Sequence, residues 1–339
     1  MNQTIKNELI IFLTLTKRHL LLFFKNKMRV FYTLLVPIII LGVYVFFLRD
    51  LELSNILGSV DELLKDSELN ANDHDVIKYI ETIIDSWMLS GIISLSTLTV
   101  SLQTNNIFVE DKENGTNRDF ISSPIKKSTL ISSYFLSNFI VTFTICFLVL
   151  LISLLYLLIN GEFFINFGDF CLIFLTLIEA VMLSSLSMIF ICIFIKKEAT
   201  LSSLIAIFAT AAGFLIGAYV PVSFLPNVAQ NICAFFPGTY STGILRNVFS
   251  NTTFTHFEAY LSNHFNSNDA LMIIANIKNS IGYNIRFFDI YIEVNFQSII
   301  AIIFIVIFAI LNIIFSNKMT SIQLGTKDIR KEKPRDILK

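Results

Sequence analysis

The sequence predicts an all-α membrane protein with about six transmembrane helices. Three observations carry that expectation: the composition, a set of long apolar windows and a one-sided distribution of basic residues. Of 339 residues, 54% are apolar and 15% charged, with a mean hydropathy of +0.70, more than the core of a soluble domain of this length requires. A spanning helix needs about 20 mostly apolar residues, and the windows 30–48, 87–103, 134–158, 170–195, 200–220 and 297–315 approach that length. They show no period-2 alternation, and backbone N–H and C=O groups cannot go unpaired in hydrocarbon, so helices are favoured over a barrel. With six spans and both termini on one side, 19 of the 25 Lys and Arg residues share that side and none lies in a span; the opposite side carries 6 bases against 16 acids. The positive-inside rule then places both termini in the cytosol.

Residues 1–29 precede the first span. Asn7, Thr14, Arg18 and Lys25 fall close to one line at 100° per residue, with Ile5, Leu9, Ile10, Phe12, Leu13, Leu20 and Phe24 around them. This predicts an amphipathic helix in the cytosolic interface with its polar edge toward water. A seventh span is the alternative, opposed by Lys17, Arg18 and His19 at mid-membrane. Residues 1–8 are polar and no small-residue cleavage site follows, so the first span is expected to be a retained anchor.

The segment 49–86 contains ten acidic residues and reads as a solvated external loop, partly helical, with Leu63, Leu64, Ile77, Ile80, Ile83 and Ile84 as packing positions. His74, beside Asp73 and Asp75, has no metal-ligand spacing. The span at 87–103 is the weakest because of its Ser and Thr content. A second external region, 221–296, is long enough for two or three helices, and Pro221, Pro226 and Pro237 break any continuous span there. The 317–339 segment is a basic cytosolic tail. Cys146, Cys171, Cys192 and Cys233 lack CxxC spacing and read as small apolar fillers.

The stretch after the second span is the most informative. Gly115 suits the left-handed residue that ends a helix, and Thr116 with Asp119 resembles a capping box that starts the next. Ser123 and Pro124 fit the N-cap and first turn of a third helix. The expected product is a short sideways helix at 117–122 between two spans, a lever that moves both when pushed. Spacing alone leaves a solvated charged loop as an equal alternative.

Within spans, Glu179 is the one acid well inside, with no Lys or Arg in a span to pair with it. It reads as a polar lining or helix-packing group, with proton coupling as the alternative; relays usually need a chain of such groups. Ala180, Ser184 and Ser187 share its face. Gly213 and Gly217 form G-x-x-x-G, a close-packing motif that suits either a dimer seam or an internal contact. His256, His264 and Asp269 read as surface residues. No G-x-x-x-x-G-K-[ST] motif is present, so nothing in the chain offers a phosphate cradle.

Two segments carry a family resemblance. Glu110, Glu113, Gly115, Thr116, Arg118 and Pro124 resemble the loop after the second span in ABC-2 type exporter permeases, although 117–120 is more polar than the usual apolar run. The segment Gly217-Ala218-Tyr219-Val220-Pro221 through Leu225-Pro226, then Phe236-Pro237-Gly238-Thr239-Tyr240 and Leu245-Arg246, is similar to that family's region before the last span. The resemblance covers essentially the chain except 247–295. It implies that the first segment is a coupling helix docking on an ATPase subunit. It further implies that Gly217, Pro221, Pro226, Pro237, Tyr240 and Arg246 shape two short re-entrant helices capping the external end of a path. The protein would then be the transmembrane subunit of a bacterial ABC exporter in the cell membrane, paired with itself or a sister permease. It would bind no cofactor directly, with ATP and magnesium on the partner ATPase, lipids around it and no nucleic acid. Apolar walls with sparse Ser and Thr suit an amphipathic or lipid-like cargo. A secondary transporter and a non-transporting membrane scaffold are the rival classes.

Overall fold

The computed structural model describes residues 3–64, 74–123, 125–160, 165–264, 267–288 and 290–316. Pro124, Asp73 and the 317–339 tail lie outside these residues, as do the side chains of Ile5, Leu63, Leu64, Arg118 and Asp269. Among the described residues, the regular structure is helical apart from one small hairpin. Helix α1 covers Gln3–Lys25. Helix α2, Lys27–Val43, runs through a π-helical turn at Tyr44–Leu48 into α3, Arg49–Leu64. Helix α4, His74–Thr104, is followed by α5, Asn106–Glu113, and α6, Thr116–Ser122. The long helices α7, Lys127–Asn160, α8, Phe167–Ile193, and α9, Glu198–Leu215, come next. After a 3₁₀ turn at Val222–Phe224 come α10, Asn227–Phe235, α11, Pro237–Ser262, and α12, Ser267–Ser280. An antiparallel hairpin of β1, Ile285–Phe287, and β2, Ile290–Ile292, with Ile285 opposite Ile292, leads into α13, Val294–Phe315.

Six helices among the described residues are long and apolar enough to cross a membrane: Lys27–Gly58, His74–Glu113, Lys127–Asn160, Phe167–Ile193, Glu198–Leu215 and Val294–Phe315. The protein is an all-α membrane protein. Its polar second span is the centre of the bundle. The most apolar window of α4 is wholly buried, whereas those of the first, fifth and sixth spans are 17% buried. Around α4 pack α7, α8 and α11. Helices whose side chains face lipid must be apolar on that face, while the central helix can carry hydroxyls if each finds an acceptor. It does: Ser96 and Thr99 donate to carbonyls one turn back, Thr97 meets Ser184, Ser94 meets Thr242, and Ser101 meets Asn138.

Two expectations need correction here. The segment expected as a solvated loop before the second span is largely helix, because α3 and α4 extend the first two spans outward. Ile80, Ile83 and Ile84 are buried, as the packing positions expected of them, and Asp85 is buried with them. Asp85 accepts hydrogen bonds from Tyr44 Oη and Arg49 Nε, and Arg49 also pairs with Glu81 at 3.3 Å. The polar edge of α1 is not wholly toward water either. Asn7, Thr14 and Lys25 are exposed, but the guanidinium of Arg18 turns inward to Asp111. The buried face of α1 is Leu15, Thr16, His19 and Phe23, packed against α7.

Candidate functional site

The two informative sequence segments lie at opposite ends of α9. Its amino end touches α5, and 18 residues later, about 27 Å at 1.5 Å per residue, it breaks at Gly217. The α5 end is the elbow. Helix α4 passes into α5 through Asn105, whose N–H still reaches Ser101 O at 3.2 Å, so the two remain nearly continuous. Asn114 then caps α5, and Gly115, at φ 79°, takes the left-handed conformation expected of it and turns the chain into α6.

The capping box expected of Thr116 and Asp119 does not form. The left-handed glycine already occupies the N-cap position, so Thr116 becomes the first helical residue and no side chain caps the helix. Ser123 likewise does not cap the following helix. Its hydroxyl donates back to Phe120 O at 2.6 Å, closing α6, and α7 begins later at Lys127, with Lys126 O accepting from Leu130 N.

Four consecutive residues of α5 hold four different parts of the molecule. Successive positions on a helix point about 100° apart, so Glu110, Asp111, Lys112 and Glu113 radiate outward. Glu110 accepts from Arg29 of α2 at 2.7 Å. Asp111, buried, accepts a two-pronged bond from Arg18 of α1 at 2.7 and 2.9 Å and a third from Tyr134 of α7 at 2.6 Å. Lys112 extends its ammonium to the carbonyls of Cys192, Ile193 and Ile195 at the carboxyl end of α8. There the terminal carbonyls and the helix dipole both favour a cation. Glu113 accepts from the N–H of Glu198 at 2.7 Å, so its carboxylate serves the amino end of α9.

Arg18 also lies over the Phe120 ring of α6 at 5.2 Å, so this short helix is attached to α1. Its guanidinium is held still more firmly protonated by the hydrogen bonds to Asp111. Beside it, His19 stacks on Tyr134 with ring centroids 4.0 Å apart. Burial, then the adjacent Arg18 charge, lowers the imidazole to about 4, against a smaller upward pull from Asp111. Arg18 Nη1 is 3.2 Å from His19 Nδ1 and can only donate, so the ring accepts there and carries its proton on Nε2. A cleft of about 470 Å³ opens beside these groups, lined by Arg18, Lys25, Arg29, Glu110, Asp111 and Thr116.

Of the expected elbow residues, the structure brings together Glu110, Glu113, Gly115 and Thr116. Sequence reasoning missed Asp111, Lys112, Arg18, Arg29 and Tyr134. The only local signal was the unbroken charge run, which reads as solvated until the neighbours supplied by tertiary folding are known.

At the far end, Gly217 at φ 70° closes α9 in a Schellman arrangement. Ala218 N donates to Gly213 O at 2.7 Å and Gly217 N to Phe214 O at 3.1 Å. The G-x-x-x-G pair is therefore an internal turn: a Cβ on Gly213 would meet the Tyr219 ring at 2.1 Å. Pro221 starts the 3₁₀ turn, Pro226 precedes α10, and Pro237 occupies the first position of α11. The expected second short helix is corrected to the 26-residue α11.

Broken spans leave carbonyls without partners, and side chains meet them here. Arg246, 3% exposed, donates to Gly217 O and lies over the Trp87 ring at 4.8 Å. Tyr240 Oη donates to Ala234 O at 2.7 Å, Thr239 to Cys233 O at 2.6 Å and Gln230 to Leu225 O at 2.8 Å. Glu179 faces this layer and accepts from Ser241 of α11 at 3.3 Å. His256 and His264 are exposed on α11 and the turn after it.

Fold and site together define a multi-pass helical membrane protein with an ion-paired elbow at one end and a proline-broken cap at the other. A family profile described as ABC-2 type transporter matches residues 11–250, and the chain belongs to that family. It carries the family's transmembrane domain, the permease part of an ABC transporter. No curated protein matches the chain.

Proposed function

We propose that this chain is the permease subunit of an exporter, moving an amphipathic or lipid-like cargo outward with ATP hydrolysed by a separate ATPase subunit. The elbow supports the reading most directly. Helix α6 hangs from α5, and the four consecutive charges of α5 hold α1, α2, α7 and the α8–α9 junction. Displacement of α6 by a closing ATPase is thus carried to most of the bundle at once, which gives two arrangements for nucleotide to choose between. The charge asymmetry supports a cytosolic elbow, and the cap around Gly217 and Arg246 then faces outside. A second copy or a sister permease completes the path.

The test is reconstitution with an ABC ATPase subunit that co-purifies with the chain. Replacing Glu113 by Ala removes the carboxylate from the start of α9, and replacing Gly115 by Val disfavours the left-handed turn. Both variants are expected to insert normally and to lose most cargo-stimulated ATP hydrolysis and vesicle transport. Transport by the chain alone, in vesicles with no nucleotide-hydrolysing companion, would contradict the assignment.

A further inference from the structure

Polar side chains from four elements converge beside the cap. In the β1–β2 hairpin Arg286 stands opposite Tyr291, and the period-2 alternation of strands puts Asn284, two residues before Arg286, on the same face. The other face, Ile285 and Ile292, is buried in an apolar cluster with Tyr240 and Ile244. The 3₁₀ turn is tied to the end of α12, where the hydroxyl of Ser223 donates to Ser280 O at 2.8 Å. Gly282, at φ 63°, then brings the chain so close to the turn that a Cβ on it would lie 3.4 Å from Val222 N. Between these elements lies a pocket of about 100 Å³ lined by Ser223, Gln230, Asn279, Asn284, Arg286 and Tyr291. Among the described residues, no Asp or Glu lines it.

Gln230 decides what the pocket accepts. It is 7% exposed, and its Nε2 donates to Ser223 O at 3.3 Å and to Leu225 O at 2.8 Å. Both amide hydrogens are thereby engaged, which leaves Oε1 as an acceptor only. None of the described residues donates to that oxygen, and it is not sealed from solvent. The side-chain amides of Asn279 and Asn284 have no partner among the described residues, so each offers the pocket both donors and an acceptor. Arg286 already serves the fold, donating to Phe288 O at 2.9 Å and to Asn227 Oδ1 at 3.3 Å. A carboxylate or a phosphate dianion would suit the donors but brings no hydrogen to Gln230 Oε1. A hydroxyl donates and accepts at once, and several of them on one rigid ring match a wall of fixed amides. Tyr291 is mostly exposed at the rim, where the negative face of its ring suits the C–H face of a pyranose.

We propose that this pocket binds one neutral sugar ring, with a ring hydroxyl donating to Gln230 Oε1 and the amides of Asn279 and Asn284 holding its neighbours. Which side of the membrane supplies the sugar rests on the outward-facing cap proposed above. Binding itself is measured without an ATPase, so a failure of export and a failure of sugar binding are told apart. The test uses the full chain in phosphatidylcholine nanodiscs and saturation-transfer NMR, with the methyl glycosides of glucose, galactose and N-acetylglucosamine as probes. At least one is expected to take up saturation. Its permethylated form, which has no hydrogen to give, should bind at least about tenfold more weakly, as loss of a hydrogen bond would give. Asn284→Leu and Tyr291→Ala, both on the open face of the hairpin, should each weaken binding about fivefold with the melting temperature unchanged.

Equal binding of a glycoside and its permethylated form by the unsubstituted protein overturns the proposal without recourse to any variant, as does the lack of saturation transfer to all three probes. Displacement of the bound glycoside by equimolar inorganic phosphate would assign the pocket to an anion and count equally against it. Binding undiminished in both variants would place the sugar elsewhere on the molecule.

Discussion

At the residue scale, the elbow shows how charges become structural in an apolar protein. Asp111 and Lys112 are 6% and 7% exposed, yet each makes at least three hydrogen bonds, which is the condition for keeping a charge in a low-dielectric setting. His19 gives a pH-dependent consequence. The folded site refuses the proton until about pH 4, whereas an unfolded histidine accepts it near 6.5. Between those values the unfolded chain binds more protons, so the contribution of His19 is full above pH 6.5 and is lost as pH falls toward 4, by up to about 3 kcal/mol. Thermal unfolding of purified protein from pH 7.5 to 4.5 should show that decline, and His19→Phe, which keeps a ring against Tyr134, should flatten it. Identical slopes in the two proteins would place the titration elsewhere. Glu110 and Glu113 were legible from their motif, but Arg18 was assigned to water, because one helix considered alone cannot reveal that another helix brings a carboxylate to its polar edge.

At the scale of elements, the cap shows what a glycine and three prolines do to a span. A left-handed residue ends α9, prolines start the 3₁₀ turn, α10 and α11, and Arg246 returns a hydrogen bond to the freed carbonyl of Gly217. Gly217→Ala should destabilise the protein by about 1–2 kcal/mol from the backbone alone, and more because its Cβ would lie 2.6 Å from Val222 Cγ2. Gly42→Ala is the control: it lies in helical backbone with nothing within 4 Å, and the change should be neutral or stabilising by up to about 1 kcal/mol. Melting temperatures of the two variants in the same detergent decide the matter, and an equal effect would show that the turn conformation carries no weight. Breaker residues made the end of α9 readable from sequence. The length of α11 was not, because its mixed composition only becomes a helix worth forming once α4, α8 and α13 cover it.

Across the whole molecule, the least hydropathic span is the most buried and the most hydropathic is among the least buried, the fifth span being low in both. The Ser- and Thr-rich second span, the weakest by composition, is central, and the most apolar one, α13, lies at the edge. The driving force explains the inversion: lipid tails are as apolar as leucine, so small and hydroxylated residues mark contact between helices, and large apolar residues mark contact with lipid. The Ser94–Thr242 pair at 2.6 Å, joining α4 to α11, offers a measure. A double-mutant cycle of Ser94→Ala and Thr242→Val should return a coupling of roughly 0.6 kcal/mol, the typical worth of such a bond between membrane helices. A coupling indistinguishable from zero would mean that close packing alone holds the central helix.

By itself the sequence determined that this is a polytopic helical membrane protein with about six spanning helices, and which loop and which proline cluster depart from plain topology. Those are local properties, set by the length of apolar runs and by residues that break helices. Which span is central, what each charge of α5 grips and how the cap meets its freed carbonyls were decided only in three dimensions. Each depends on partners tens of residues away, with Arg18 and Asp111 separated by 93 positions, and hydrophobic periodicity carries no information about which distant side chain will answer a buried charge.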